Sequence, residues 1–229
     1  MSSPTNPASI RLEQVRFAYR AGSPLVLDIE EFVLGEGESC FLHGPSGCGK
    51  TTLLGVIAGV LEAQQGRVEV LGEDLRRLSR GRRDRWRGEK LGYIFQMFNL
   101  IPYLSVRDNI LLPAQLHRGR RGEGLEEMAA ALGIADLLDR GVLELSVGQQ
   151  QRVAAARALI GGPKLVIADE PTSALDAAHR ERFLELLLGQ ARQAGAALLF
   201  VSHDQSLKGL FEQQRSLPEL NRATRLEGA

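Results

Sequence analysis

Gly44-Pro45-Ser46-Gly47-Cys48-Gly49-Lys50-Thr51 matches G-x-x-x-x-G-K-[ST], the phosphate-binding loop. The apolar run Cys40-Phe41-Leu42-His43 leads into it as a strand would, and Thr52 to Val60 follows with helical character. Strand, loop and helix together are the setting this motif needs. Glycines let successive backbone N–H groups curl around a polyphosphate, and the helix N-terminus adds favourable charge. Lys50 is placed to reach the β- and γ-phosphates. The Thr51 hydroxyl is placed to help hold Mg²⁺, and Thr52 completes the nucleotide-facing set.

The 229 residues suffice for one sizeable α/β domain with a subdomain, or for two small domains. A zero formal charge gives no electrostatic reason to expect nucleic acid or an anionic membrane as partner. The basic residues are mostly Arg; of the four Lys, one is Lys50. The two cysteines, Cys40 and Cys48, have no metal-ligand spacing, and a disulfide at Cys48 would constrain the loop backbone. A reduced, cytoplasmic chain is expected. Met1 to Ser9 is polar, with neither the basic start nor the apolar core of a signal peptide, and is expected to be disordered. No apolar run approaches the roughly 18 residues of a membrane span, so any span comes from another chain.

Outward from the loop, apolar and polar residues alternate over Ile10–Tyr19, with one slip in phase; this predicts an edge strand. Leu25–Leu34 is strand-rich and closes at Gly35-Glu36-Gly37, and Arg67–Leu71 predicts a short strand. The basic segment Leu75–Arg87 predicts a solvated helix or loop, since only Trp86 interrupts the charge and nucleic-acid surfaces need more aromatics. Leu91–Phe95 predicts a strand that stops at Gln96. Helical spacing then takes over through Val106–Gln115, Gly124–Leu132 and Gln149–Leu159, with Arg118–Gly124 as a flexible connector. Leu165–Ala168 and Ala197–Val201 predict buried strands, and Ala177–Ala194 a helix. The fold class is an α/β phosphate-loop NTPase with an antiparallel β edge and an inserted helical subdomain. One domain is expected over residues 10–229, with the insertion at about 97–160.

The run Leu165-Val166-Ile167-Ala168 ends in Asp169-Glu170. A continuous apolar run suits a strand covered on both faces of a parallel sheet. Ligands of such sheets bind at the carboxyl ends of the strands, which sets the two acids beside the phosphate loop. Asp169 would orient Mg²⁺, directly or through its water, and Glu170 would polarise an attacking water as general base. A second strand ends in Ser202-His203-Asp204. A lone strand-end His is usually structural; here His203 could hydrogen-bond a γ-phosphate or the attacking water.

Leu145-Ser146-Val147-Gly148-Gln149-Gln150-Gln151-Arg152 lies between these motifs, and Pro171-Thr172-Ser173-Ala174-Leu175-Asp176 follows the acidic pair. In this order the set closely resembles the ATP-binding subunits of ABC transporters, from about Ile10 to Asp204. The resemblance implies an ATPase that uses ATP and Mg²⁺ and drives a separate integral membrane permease from the cytoplasmic face of the inner membrane. It further implies that Tyr19 stacks on adenine. Gln96 would be a Mg²⁺ and water ligand at the hinge to the helical subdomain. Ser146, Gly148 and Gln149 would form the family signature, Ser173 to Asp176 the D-loop, and His203 the switch histidine. The signature opens a helix, where a hydroxyl and free N–H groups make an anion site. In the family that site caps the γ-phosphate held by a second copy, giving a dimer around two ATP molecules.

Two departures stand out. Val147 replaces the usual third-position Gly of the signature. The tail, Phe211 to Asn221, lacks the Asp-Gly turn with which family members close an alternating strand pair; a short strand near Arg215–Leu217 and a helical or irregular end after Pro218 are expected. The stretch Leu91–Pro102 with Val106–Ile110 is similar to the lipoprotein-releasing, macrolide-exporting and heterocyst-exporter ATPases, which implies a permease with a large extracytoplasmic domain and a periplasmic adaptor reached through it. The permease is expected to dock near Gln96–Leu104, on Phe98, Leu100, Ile101, Tyr103 and Leu104; the alternative is that these side chains fill the helical subdomain's core. An alternative function is a regulatory or force-transmitting partner of a membrane protein that transports nothing. DNA-repair and translation ATPases are disfavoured, because the chain has neither a long coiled coil nor tandem cassettes. A GTPase is disfavoured by the lack of a guanine-reading [NT]KxD motif.

Overall fold

The computed structural model describes residues 7–116, 123–173 and 176–225. An antiparallel sheet comes first: β1 (Ala8–Phe17), β2 (Leu27–Gly35), β4 (Gln65–Val70) and the two-residue β5 (Glu73–Asp74), in the order β2-β1-β4-β5. A parallel sheet carries β3 (Ser39–His43), β6 (Leu91–Ile94), β7 (Leu165–Asp169), β8 (Ala197–Val201) and β9 (Gln213–Ser216), in the order β6-β7-β8-β3-β9. The helices are α1 (Lys50–Ile57), α2 (Arg80–Lys90), α3 (Val106–Leu116), α4 (Leu125–Ala131), α5 (Val147–Leu159), α6 (Ala177–Gln193) and the single turn α7 (Leu217–Leu220).

The parallel sheet separates two cores, and its period of two assigns each residue to one of them. Phe41, Val166, Ala168, Leu198 and Phe200 face a cluster with Val106 and Ile110 of α3, Val153 to Ala156 of α5 and Phe183 of α6. Cys40, Leu42, Ile167, Leu199 and Val201 face a second cluster, with the antiparallel sheet, Leu53 and Leu54 of α1, and Trp86 of α2. Each large side chain buried this way stabilises the fold by about 1.5–3 kcal/mol before entropy is counted. A one-residue slip of β3 would exchange Phe41 and Leu42 between the cores, so the register is held from both faces. Gly92 lets α5 lie close on β6: a Cβ there would sit 2.2 Å from the Ala158 carbonyl oxygen.

Several expectations are corrected. β1 is interior to its sheet, between β2 and β4, because both its edges are hydrogen-bonded. Its slip in phase is a β-bulge: Gln14 has φ +50° and the register to β4 shifts between Glu13 and Arg16. β1 takes in Ala8 and the buried Ser9, earlier than the expected start at Ile10; Met1 to Asn6 lie outside the described residues. The basic segment is helical in α2, but Trp86 is buried beneath it. Most of the Arg118–Gly124 connector also lies outside the described residues. The tail gives the expected short strand and helical turn, and β9 pairs parallel to β3. Both cysteines are free and buried; burial pushes the Cys40 thiol up to about 12 and raises that of Cys48.

Candidate functional site

Parallel pairing brings the carboxyl ends of four strands to one edge. β3 feeds the phosphate loop, β6 runs into Gln96, β7 ends at Asp169 before Glu170, and β8 is followed by Ser202 and His203. They border an open cleft of about 470 Å³ that Tyr19, Val26, Ser46, Gly47, Gly49, Lys50, Thr51, Thr52, Gln96, Asp169, Glu170 and His203 line. Gly44, Pro45 and Cys48 form the back of the loop and do not line the cleft.

Lys50 opens α1. Its ammonium donates to the Gly44 carbonyl at 2.8 Å and the Pro45 carbonyl at 3.0 Å, and lies 3.9 Å from Glu170 Oε1. Next to it, the Thr51 hydroxyl donates to Asp169 Oδ2 at 3.4 Å. Burial and the neighbouring Glu170 charge raise the Asp169 pKa, while the Thr51 hydrogen bond and the Lys50 charge oppose the shift. Bringing a cation to this carboxylate relieves that cost.

Glu170 is a buried residue with φ +46°, a left-handed conformation that β7 and β8 hold through its N–H donating to the Val201 carbonyl at 2.9 Å. Such backbone strain persists where surrounding structure over-determines it, often at functional sites. Its carboxylate is gripped on the side opposite Lys50. His203 Nδ1 lies 2.8 Å from Oε2, and the His203 backbone N–H lies 3.4 Å from the same oxygen.

Tyr19 is 64% exposed at the cleft rim. Its hydroxyl bonds the Thr52 hydroxyl at 2.9 Å, and its ring meets Phe17 edge-on with centroids 5.1 Å apart. Gln96 is exposed and is followed by a turn in which Phe98 and Asn99 both have positive φ, +58° and +49°. The buried Arg157 of α5 holds that turn, donating to the Asn99 carbonyl at 2.6 Å and to the Phe98 carbonyl. Sequence reading passed over Arg157, whose partners lie 58 and 59 residues away. It passed over Val26 as well, an ordinary apolar residue with no local signal.

Ser146, Gly148 and Gln149 lie outside the cleft. Ser146 caps α5 in a reciprocal box: its hydroxyl accepts from the Gln149 N–H, and the Gln149 side-chain oxygen accepts from the Ser146 N–H at 2.9 Å. Val147, the departure from the family pattern, is 46% exposed in the first helical turn. In the stretch expected to be the D-loop, Asp176 caps α6 by accepting from the His179 N–H at 3.0 Å, whereas Ala174 and Leu175 lie outside the described residues.

The donor set suits a polyphosphate with a hard cation. A loop of N–H groups ends in an ammonium, and one hydroxyl and one carboxylate stand together beside it. Mg²⁺ takes oxygen ligands, keeps several waters and needs few protein groups; among the described residues no cluster of three His, Cys, Asp or Glu exists for a self-contained protein metal centre.

This fold and site define an α/β ATPase of the phosphate-loop type. The chain belongs to the ABC transporter family, whose model matches residues 27–173. Over 213 residues it is 38% identical to the lipoprotein-releasing system ATP-binding protein LolD of Anaeromyxobacter dehalogenans, covering 90% of this chain and 89% of that protein. It is 40% identical over 176 residues to the ABC transporter ATP-binding protein YxdL of Bacillus subtilis, covering 76% and 68%. Among solved structures, the dimeric bacterial ABC transporter cassette MJ0796 superposes with a TM-score of 0.80 at 31% identity, covering 90% of this chain and 93% of that one. A dimeric post-hydrolysis state of the same cassette, bound to ADP and Pi, gives 0.78 at 32% identity with the same coverage. The chain is thus an ABC ATPase.

Proposed function

We propose that this chain is the motor subunit of a bacterial ABC transporter of the class that includes the lipoprotein-releasing systems, acting at the cytoplasmic face of the inner membrane on a separate permease. The observation that carries this reading is which of the expected groups the cleft gathers and which it leaves out. Lys50, Thr51, Asp169, Glu170, His203 and Gln96 converge on one edge, while the Ser146-capped start of α5 stands outside it. A second copy in the opposite orientation supplies the missing half.

In this reading Thr51 and Asp169, with Gln96, hold Mg²⁺, which when bound neutralises phosphate charge. Loop N–H groups from Gly44 to Thr51 cradle the polyphosphate, with Lys50 as its point charge. Tyr19 offers its exposed ring to adenine. Glu170 takes the proton of an attacking water, and His203 holds the Glu170 carboxylate in place and remains within reach of the γ-phosphate. Ser146, the N–H groups from Gly148 onward and Gln149 face the phosphate of the partner copy.

Because the interface is incomplete without nucleotide, association is linked to binding. The isolated chain is expected to be monomeric alone and dimeric with MgATP when hydrolysis is blocked, as read by size-exclusion chromatography with light scattering. A monomer under both conditions would overturn the half-site reading.

The expected docking patch divides in the structure. Phe98 is buried in the core, and Leu100 packs against it, so Phe98 is a packing residue. Tyr103 is 85% and Leu143 76% exposed. Ser105, two residues after Tyr103, bridges Gly141, two residues before Leu143. Two large apolar side chains this exposed suit a partner surface. Glu substitutions at Tyr103 and Leu143 are expected to abolish permease co-purification and permease-stimulated ATPase activity while leaving basal hydrolysis within about twofold, as surface changes usually leave the fold intact. Retained co-purification would move the docking surface elsewhere.

A further inference from the structure

The tail that departs from the family pattern lies against the back of the phosphate loop, and one side chain joins them. Asn221 is fully buried. Its amide nitrogen donates to the Val26 carbonyl at 2.9 Å and to the Cys48 carbonyl at 3.3 Å. Its side-chain oxygen accepts from the Asp28 N–H at 2.8 Å and the Ala223 N–H at 3.3 Å. Val26 lines the nucleotide cleft, and Cys48 is the loop residue two before Lys50. The loop's two ends both lie close to this segment. A Cβ at Gly44 would lie 3.0 Å from Pro218 and 3.6 Å from Leu217, and one at Gly49 would lie 3.6 Å from the Asn221 amide nitrogen.

We infer that Asn221 is a positioning residue for nucleotide binding, and that residues 217–223 act as a brace that sets the phosphate loop; this rests on reading the loop as the nucleotide site. The loop binds through N–H groups that must point inward together. A peptide's N–H direction is fixed by where its carbonyl is held, and Asn221 holds the Cys48 carbonyl, the one preceding the Gly49 N–H. Only an amide side chain can donate to two carbonyls while accepting from two N–H groups. Asp would set a carboxylate against the Val26 and Cys48 oxygens, and Ala would leave buried groups unpaired.

Asn109 supplies a matched control. It too is fully buried, accepting from the Ile101 N–H at 2.7 Å and donating to the Ile101 and Ser105 carbonyls at 3.1 and 3.0 Å, but it lies in the helical insertion. The experiment is titration of the full chain with a fluorescent ATP analogue and Mg²⁺, alongside thermal midpoints. Asn221→Ala and Asn221→Asp are expected to raise Kd by about tenfold or more, the effect of one lost buried hydrogen-bonded group. Asn109→Ala is expected to lose comparable thermal stability with Kd unchanged. Kd changes that merely follow thermal stability across all three variants would overturn the brace, as would unchanged Kd in the Asn221 variants. Should the Asn221 variants not fold, hydrogen exchange on the wild-type chain decides. By reciprocity, nucleotide must raise amide protection across residues 217–223, and no gain there overturns the inference. Absence of analogue binding by the wild-type chain overturns the nucleotide-site reading and this inference together.

Discussion

Glu170→Gln is expected to bind MgATP with little change in affinity and to hydrolyse it about 10²–10⁴-fold more slowly. The substitution keeps the shape of the side chain and an oxygen that can accept from His203, whose ring and backbone N–H both address Oε2. It removes the basicity needed to take a proton from water, and it removes the ion-pair partner of Lys50, 3.9 Å away. The Gly44–Thr51 loop is untouched. Single-turnover hydrolysis with equilibrium binding measures both sides, and the variant should also accumulate the nucleotide-bound dimer. Turnover near the wild-type rate would assign the proton to another group and leave the left-handed backbone at Glu170 without a catalytic reason.

Lys50→Ala is expected to weaken MgATP binding by about 10²-fold or more. Truncating one member of a desolvated charge pair costs about 2–5 kcal/mol, and the ammonium is the charge nearest the expected β- and γ-phosphates. Lys50 also ties the loop together through the Gly44 and Pro45 carbonyls, so part of the loss comes from a less ordered loop. Titration with a fluorescent ATP analogue measures the loss. A companion thermal midpoint separates the two contributions, because loop disorder lowers stability without nucleotide and a lost phosphate contact does not. Unchanged affinity would remove the loop from the nucleotide site.

The parts of this protein that could be read from its sequence are those whose cause is local. The phosphate loop, the acidic pair after an apolar run and the His after another each carry strand, turn and chemistry within a few residues. The parallel sheet then brings them together by the general rule that ligands gather at strand carboxyl ends. Contacts without local cause were missed. The alternation of β1 marks one face buried and cannot say whether both edges are paired, so an interior strand was expected at the edge. Phe98 and Tyr103 look alike in sequence, as aromatics in an irregular stretch; Phe98 is buried in a turn whose Phe98 and Asn99 carbonyls are held by the Arg157 guanidinium, 59 and 58 residues on, while Tyr103 is exposed. Asn221 has no motif at all, and its partners Val26 and Cys48 precede it by 195 and 173 residues.

The position of β3 bears on how the protein is made. Its neighbours in the sheet are β8 and β9, so the strand that launches the phosphate loop has no partner until residues 197–216 exist. Ser39 at its start receives its Glu212 partner 173 residues later. At about 5–20 residues per second, a ribosome takes on the order of 10–35 s to cover that distance. Throughout that interval Cys40-Phe41-Leu42 is an apolar strand with two open edges on a growing chain, which is the kind of segment that seeks other strands. The antiparallel sheet, complete by Asp74, can form early and shelter the Cys40 and Leu42 side. The ring partners of Phe41, Phe200 and Phe211, come only in the chain's final third, so nascent chains stalled between α5 and β8 are where chaperone engagement should be heaviest.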